Sequence, residues 1–435
     1  MTAPPAHACR SWRSPRSRLS LLIPVILLAG LAVVFQSAAS TAGASSNSYQ
    51  VIPADYAGVN YVGAGLPAVA GKTIRLWDDG TNWCDLEPQP GVWNTGALET
   101  LVTNLRSAGY TQIILTLGMT PAWASTGAQG QGPNYVCSGQ SAYTTTVPTE
   151  DAWYGYVAHL ASEFAGRITA YEAWNEPASQ TYWTGTYQQM SRLTSLAYWA
   201  VKQFDPAATV LSGSLTPRST PGWDYNYLQQ IAWDGWQIDG IAFHSYSYFR
   251  CVPDAGTGQC AAGEVKTMLD DHVAQVNAVN SGIAQMQPPR AISVWETEVN
   301  HNDAGTVWAT VSQGAQVQLV ARTFIDDIRY GVNHEVWYAF NRAFGVSMDN
   351  TGAAYLTLRT MQSWVTGHVF INCYDHTVSG VEVVQCYVDG REIDWSAKSV
   401  QIPGLNGLRC TLPDGVCASA TNITLTPTPQ LIVYQ

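Results

Sequence analysis

The 435-residue chain is predicted to fold as an α/β protein, a closed (β/α)8 barrel of the TIM-barrel type followed by a small β-sandwich. Three observations carry that expectation. Strand-like apolar runs alternate with helix-patterned segments from residue 56 to about residue 365, which implies a parallel sheet with helices outside it. Eight such units follow one another, the number that closes a barrel. From residue 366 the pattern changes to short β segments separated by turns such as Asp389-Gly390 and Asp414-Gly415. The alternative, an open doubly wound sheet, is weakened because no glycine-rich phosphate loop follows any of the strands.

The eight strands are expected at Tyr56–Tyr61, Thr73–Trp77, Gln112–Leu117, Ile168–Trp174, Thr209–Ser212, Asp239–His244, Ala291–Thr297 and Glu335–Phe340. Between the second and third, Leu98, Leu101, Val102 and Leu105 recur at helical spacing and Gly109 stands just past the end. A helix from about Glu150 carries Trp153, Val157, Leu160 and Phe164 on one face. The helix Tyr187–Phe204 stops before Asp205-Pro206, because the residue before proline disfavours the α region. Further helical patterns lie near 223–232, 264–280, 312–330 and 353–364. The resulting organisation is a signal peptide over 1–43, a catalytic barrel over 50–365 and an accessory β-sandwich over 366–435.

Composition excludes several partner classes. Charged residues make up 12% of the chain and apolar ones 46%, so the surface is polar but largely uncharged around a sizeable core. A formal net charge of -11 argues against nucleic acid and anionic membranes. The 17 Trp and 22 Tyr belong mostly in a core, although flat aromatic faces also suit the C–H faces of sugar rings.

The first forty residues read as an export signal. Arg10, Arg13, Arg16 and Arg18 precede an apolar run from Leu19 to Phe35 and the small residues Ser37–Gly43. That run, about 17 residues, is at the lower limit for a membrane span, so an uncleaved N-terminal anchor is the alternative. Either way the protein is expected to be secreted or at the cell surface, as a monomer. Beyond Cys9, eight cysteines remain, an even number that reads as disulfides in an exported chain. Pairing of neighbours gives 251–260, 373–386 and 410–417, and leaves 84–137 to join two barrel loops. No Cys-x-x-Cys or His-x-His spacing occurs, so no metal and no other cofactor is expected.

In a barrel of this kind the site is built at the C-terminal ends of the strands. Two of those ends carry carboxylates. The fourth strand closes as Trp174-Asn175-Glu176-Pro177, and the seventh as Trp295-Glu296-Thr297-Glu298. Asn-Glu-Pro also fits a helix start, with Asn as N-cap. Two carboxyl groups on nearly opposite sides of a barrel mouth are what glycoside hydrolysis requires, roughly 5–5.5 Å apart in the retaining route.

These residues resemble the clan A retaining glycosidases, with an acid/base on strand four and a nucleophile on strand seven. Within the clan the likeness is to glycoside hydrolase family 39 and cellulase-like relatives. It rests on Ile74-Arg75-Leu76-Trp77, Thr120-Pro121-Ala122-Trp123-Ala124-Ser125, the Trp-Asn-Glu-Pro turn and the barrel-plus-sandwich layout, and spans residues 50–435. The resemblance implies that Glu176 is the acid/base, partly buried with a raised pKa, and that Asn175 binds the sugar 2-hydroxyl. It makes Glu298 the nucleophile, with Glu296, on the same strand parity but one step deeper, as the competing choice. Arg75 would keep the nucleophile ionised, unless it is a structural salt bridge. His244 and Tyr246 close the sixth strand, where such a Tyr stands near the nucleophile; a lone buried His is as readily structural. Trp337 would be the sugar platform, with Tyr338 competing, and Trp123 is either a second platform or core.

The implied activity is hydrolysis of a β-linked poly- or oligosaccharide by double displacement, an O-glycoside hydrolase. Transglycosylation on the same scaffold and a non-catalytic glycan-binding barrel are the alternatives. The loops around strands one and two do not match those of family 39, and the segments 127–146 and 251–260 read as insertions particular to this chain, which leaves specificity open.

Overall fold

The computed structural model describes residues 50–434, except 64, 69–70, 128–131, 134–136, 138–140, 250–261, 304–310 and 343–344. The expected signal segment and the Cys251–Cys260 pair lie outside the described residues.

A two-residue strand, β1 (Gln50–Val51), precedes the barrel. The barrel strands are β2 (Ala57–Tyr61), β3 (Thr73–Leu76), β4 (Gln112–Thr116), β5 (Ala170–Glu172), β6 (Thr209–Leu211), β7 (Gly240–Phe249), β8 (Ser293–Asp303) and β9 (His334–Trp337). They pair in sequence order, all parallel, and β9 closes onto β2, as predicted. The helices are α1 (Trp83–Leu86), α2 (Gly96–Ser107), α3 (Glu150–Glu163), α4 (Tyr187–Phe204), α5 (Pro221–Trp233), α6 (Ala262–Gln285), α7 (Gln313–Arg329) and α8 (Ala353–Val365). The local signals explain their ends. In α2, Leu98, Val102 and Leu105 face the core, and Gly109 adopts φ +97°, a left-handed turn that only glycine takes freely. A capping box opens α4, in which Thr186 Oγ1 accepts from the Gln189 amide and Gln189 Oε1 accepts from the Thr186 amide.

The inside of the barrel is packed by Ile114, Ala170, Leu211, Ala242, Trp295 and Val336. Outside it, strands and helices share a large aromatic core in which Trp83, Trp153, Trp174 and Trp183 are buried. Most of the tryptophan excess is therefore spent on packing.

Strands β7 and β8 run several residues past their predicted ends. Beyond the rim they pair with each other, from His244–Glu298 onward. That backbone ladder sustains the polar run His244-Ser245-Tyr246 and carries β7 on to Phe249.

The C-terminal part forms a seven-stranded antiparallel sheet in the order β1-β10-β11-β12-β17-β14-β15, with β10 (Val369–Val378), β11 (Val381–Val388), β12 (Arg391–Ser396), β14 (Gly407–Cys410), β15 (Cys417–Ala420) and β17 (Gln430–Val433). A ribbon of β13 (Val400–Gln401) and β16 (Thr424–Leu425) covers one face through Val383, Val400, Leu405, Ile423, Leu425 and Ile432. The other face packs on the barrel helices, with Phe370, Val388 and Ile393 meeting Leu358, Met361 and Trp364. The β-sandwich expectation holds, with one addition: residues 50–51 supply an edge strand to this sheet. The predicted disulfides Cys84–Cys137, Cys373–Cys386 and Cys410–Cys417 are present.

Candidate active site

Arg75 organises the barrel mouth. Strand β3 is buried on both faces, and the Arg75 guanidinium points inward with no solvent exposure. Its five N–H donors all find acceptors. Nε and Nη2 form a fork on Glu172 Oε2 and Oε1, both at 2.9 Å. Nη2 also reaches Asn175 Oδ1 at 2.8 Å, and Nη1 reaches Asn60 Oδ1 at 3.0 Å and Glu298 Oε1 at 2.6 Å. Burial works against its charge, but Glu172 and Glu298 outweigh burial and hold its pKa above the ordinary arginine value. The family resemblance placed Arg75 here; it missed Glu172 and Asn60. Glu172 carried a signal, since a carboxylate inside an otherwise apolar barrel strand must be paired, and Arg75 is the cation available to it.

Glu298 holds the other side. Its Oε1 takes Arg75, and its Oε2 accepts from the Tyr246 hydroxyl. His244 Nδ1 lies 2.8 Å from Glu176 Oε1 and 3.6 Å from Glu298 Oε2. Oxygen atoms of Glu176 and Glu298 stand within 4.8 Å of one another. Burial pushes the Glu298 pKa up; His244, Arg75 and the Tyr246 hydrogen bond pull it down, while Glu176 pushes it up again. Glu176 itself sits in the left-handed region, φ +40°, uncommon for a residue with a side chain and typical of functional turns. Its amide donates to Ser214 Oγ at 2.9 Å, which pins the turn. The Glu176 side chain is 21% exposed, facing a cavity of about 220 Å³ that Thr216, Arg218, Gln275, His244 and Tyr246 also line. Six predicted site residues, Arg75, Asn175, Glu176, His244, Tyr246 and Glu298, are thus gathered in one cluster.

Two expectations need correction. Glu296 does not share a face with Glu298. Strand β8 carries an extra residue at Thr297 that both neighbours register: Glu296 and Glu298 pair with the consecutive residues Phe243 and His244 on β7, and a matching shift occurs against β9. The bulge reverses the alternation, so Glu296 points away from the mouth, toward His272 on α6 at 3.7 Å.

Trp337 likewise points outward. It is wholly buried among the helices, with its indole N–H on the Glu335 carboxylate, and offers no face to a sugar. Its neighbour Tyr338 lies at the mouth instead, 6.4 Å from the Tyr246 ring, with its hydroxyl on Asp78 Oδ2 at 2.8 Å and on Arg342. Trp123 is half-buried, edge-on to Trp83, with its N–H on the Glu87 carbonyl at 3.0 Å. That anchorage belongs to the aromatic core and joins it to none of the carboxylates.

No protein-family model and no curated protein matches the chain. Solved structures do. A family 39 glycoside hydrolase from Bacteroides cellulosilyticus WH2 superposes with a TM-score of 0.61 at 18% identity, over 88% of this chain and 81% of the other. A GH39 enzyme from Xanthomonas axonopodis pv. citri gives 0.55 at 15% identity, over 78% and 73%. A GH30 endoxylanase from Clostridium papyrosolvens C71 gives 0.54 at 12% identity, over 89% and 97%. The chain therefore has the barrel-and-sheet fold found among glycoside hydrolases of families 39 and 30.

Proposed function

We propose that the protein is an exported, retaining O-glycoside hydrolase acting on β-linked poly- or oligosaccharide. The observation that carries this reading is the approach of the Glu176 and Glu298 carboxylates to within 4.8 Å. Retaining enzymes hold the two groups roughly 5–5.5 Å apart, and inverting ones roughly 6.5–9.5 Å to admit a water. Glu298 attacks the anomeric carbon while Glu176 protonates the departing oxygen; Glu176 then deprotonates the water that releases the sugar. Arg75 and Tyr246 stabilise the Glu298 carboxylate. His244 bridges both glutamates, and Asn175, held by Arg75, presents its amide to the sugar hydroxyls. Tyr338 takes the platform role expected of Trp337. The fold shared with enzymes described as an endoxylanase and a β-xylosidase supports a xylose-containing β-glycan as first substrate to try. The arginine-rich, then apolar N-terminus supports secretion or surface attachment.

The test is digestion of a β-glycan panel with product sizing, using the wild type, Glu176→Gln and Glu298→Gly. Both variants should lose at least about 10²-fold in kcat/KM, with Glu176→Gln spared on substrates whose leaving group needs no proton. Near wild-type turnover by either variant on a cleaved glycan would contradict the assignment.

A further inference from the structure

A second cluster of chemically capable side chains lies behind the barrel wall, where the outer faces of β8 and β9 meet α6 and α7. It contains Glu296, Glu335, Asp327 and His272, all without solvent exposure, and the buried Tyr56. Donors and acceptors do not balance there. Both Glu296 oxygens, Asp327 Oδ2, Glu335 Oε2 and the Tyr56 hydroxyl have no hydrogen-bond partner. Glu296 is near enough to Asp327 and Ser245 for each to influence its titration, yet its oxygens meet neither at hydrogen-bond geometry. Three carboxyl groups enclosed together in a medium of low dielectric require a counter-charge or protons.

We propose that this space binds one divalent cation, held by His272, Glu296 and Asp327 with Glu335 beside them. One nitrogen or oxygen atom from each of the first three lies within 4.8 Å of the others. The imidazole is placed as a ligand. Its Nδ1 faces Ser245 Oγ at 2.8 Å and Glu296 Oε1 at 3.7 Å; with Nδ1 donating to Ser245, the Nε2 lone pair on the Asp327 side is the one available to a cation. Nε2 lies 2.8 Å from Asp327 Oδ1. That separation matches two neighbouring ligand atoms of an octahedral ion with bonds of about 2.0–2.1 Å, whose edge is about 2.9 Å, better than the wider edge of a tetrahedral one. Carboxylates with one imidazole favour Zn²⁺ or Mn²⁺ over Ca²⁺. The unpartnered Tyr56 hydroxyl and Glu335 Oε2 lie close enough to feel the charge of Asp327. The bulge that turns Glu298 toward the mouth is the same one that turns Glu296 into this cluster, so the two sites share one backbone feature.

The test uses the full chain purified without added metal or affinity chelation. Elemental analysis should find about one divalent ion per chain. Dialysis against a strong chelator should remove it and lower the Tm by roughly 5 °C, and Zn²⁺ or Mn²⁺ alone should restore the Tm. Glu296→Gln, which keeps shape and volume, and Asp327→Asn should each bind at least tenfold less metal. Two outcomes overturn the proposal. One is a metal-free wild type whose Tm responds to neither chelator nor added ion and whose infrared spectrum shows a protonated carboxyl lost in Glu296→Gln, the signature of shared protons. The other is stoichiometric metal retained by both variants. Neither outcome bears on Glu176 and Glu298.

Discussion

Five acceptors converge on the guanidinium of Arg75, and the consequences are sharpest at that residue. Lysine carries the same charge but cannot form the fork on Glu172 while also reaching Asn60, Asn175 and Glu298. Arg75→Lys should lower stability by about 1–3 kcal/mol, because buried acceptors are left without donors although the charge is kept, and should cut kcat/KM with it; denaturant melts and kinetics on the same preparation check both. Tyr246→Phe removes one of the interactions that lower the Glu298 pKa. A nucleophile must be ionised, so activity falls as pH falls through that pKa. The acid limb of kcat/KM should therefore lie above the ordinary glutamate range in the wild type and move to still higher pH in Tyr246→Phe. A limb that stays or moves down would contradict the role given to Tyr246. Glu176 and Glu298 were legible as carboxylates at the ends of barrel strands, and the family resemblance picked Glu298 over Glu296 and added Arg75. Trp337 was misread because tryptophan serves core and sugar surface equally, and only strand direction separates the two.

At the scale of elements, the decisive feature is the single extra residue in β8. Sequence alternation assigns Glu296 and Glu298 to one face, and nothing in Trp295-Glu296-Thr297-Glu298 announces a bulge. The extended β7–β8 ladder was missed as well, since it depends on the two strands pairing with each other beyond the rim. Helices were read more accurately than strand ends, because periodicity, capping and proline act together on them. At the end of β4, Gly118 adopts φ +135°, and a Cβ there would stand 3.1 Å from the Trp174 ring, one residue before Asn175. Gly118→Ala should cost about 1–3 kcal/mol through backbone strain and a displaced indole, read as a lower denaturation midpoint. Thr186→Ala, which removes the cap of α4 and touches none of the clustered carboxylates, should cost about 1 kcal/mol and leave kcat unchanged.

Taken as a whole, the molecule buries several carboxyl groups deeply enough that desolvation outweighs any nearby base. Burial raises Asp79 to about 7, Asp224 to about 8, Asp326 to about 6 and Asp394 to about 8, from 3.8. Each binds its proton more tightly folded than unfolded, so the stability it contributes is complete below about pH 4 and is lost as pH rises through these values. The Tm should consequently decline between about pH 5 and pH 8; a Tm that climbs across that window would show these groups to be paired. Number and order of strands, the barrel and the three described cystine pairs were readable because they depend on local pattern and parity of counts. A cation site between β8, β9, α6 and α7 was not, because its ligands are dispersed in sequence and lack any metal-binding spacing.

The central claim is that Glu176 and Glu298 act across one bond with retention. Proton NMR of the first sugar released from a cleaved β-glycoside reads this directly. The account predicts that the β-anomer appears first and then mutarotates; initial release of the α-anomer would contradict it.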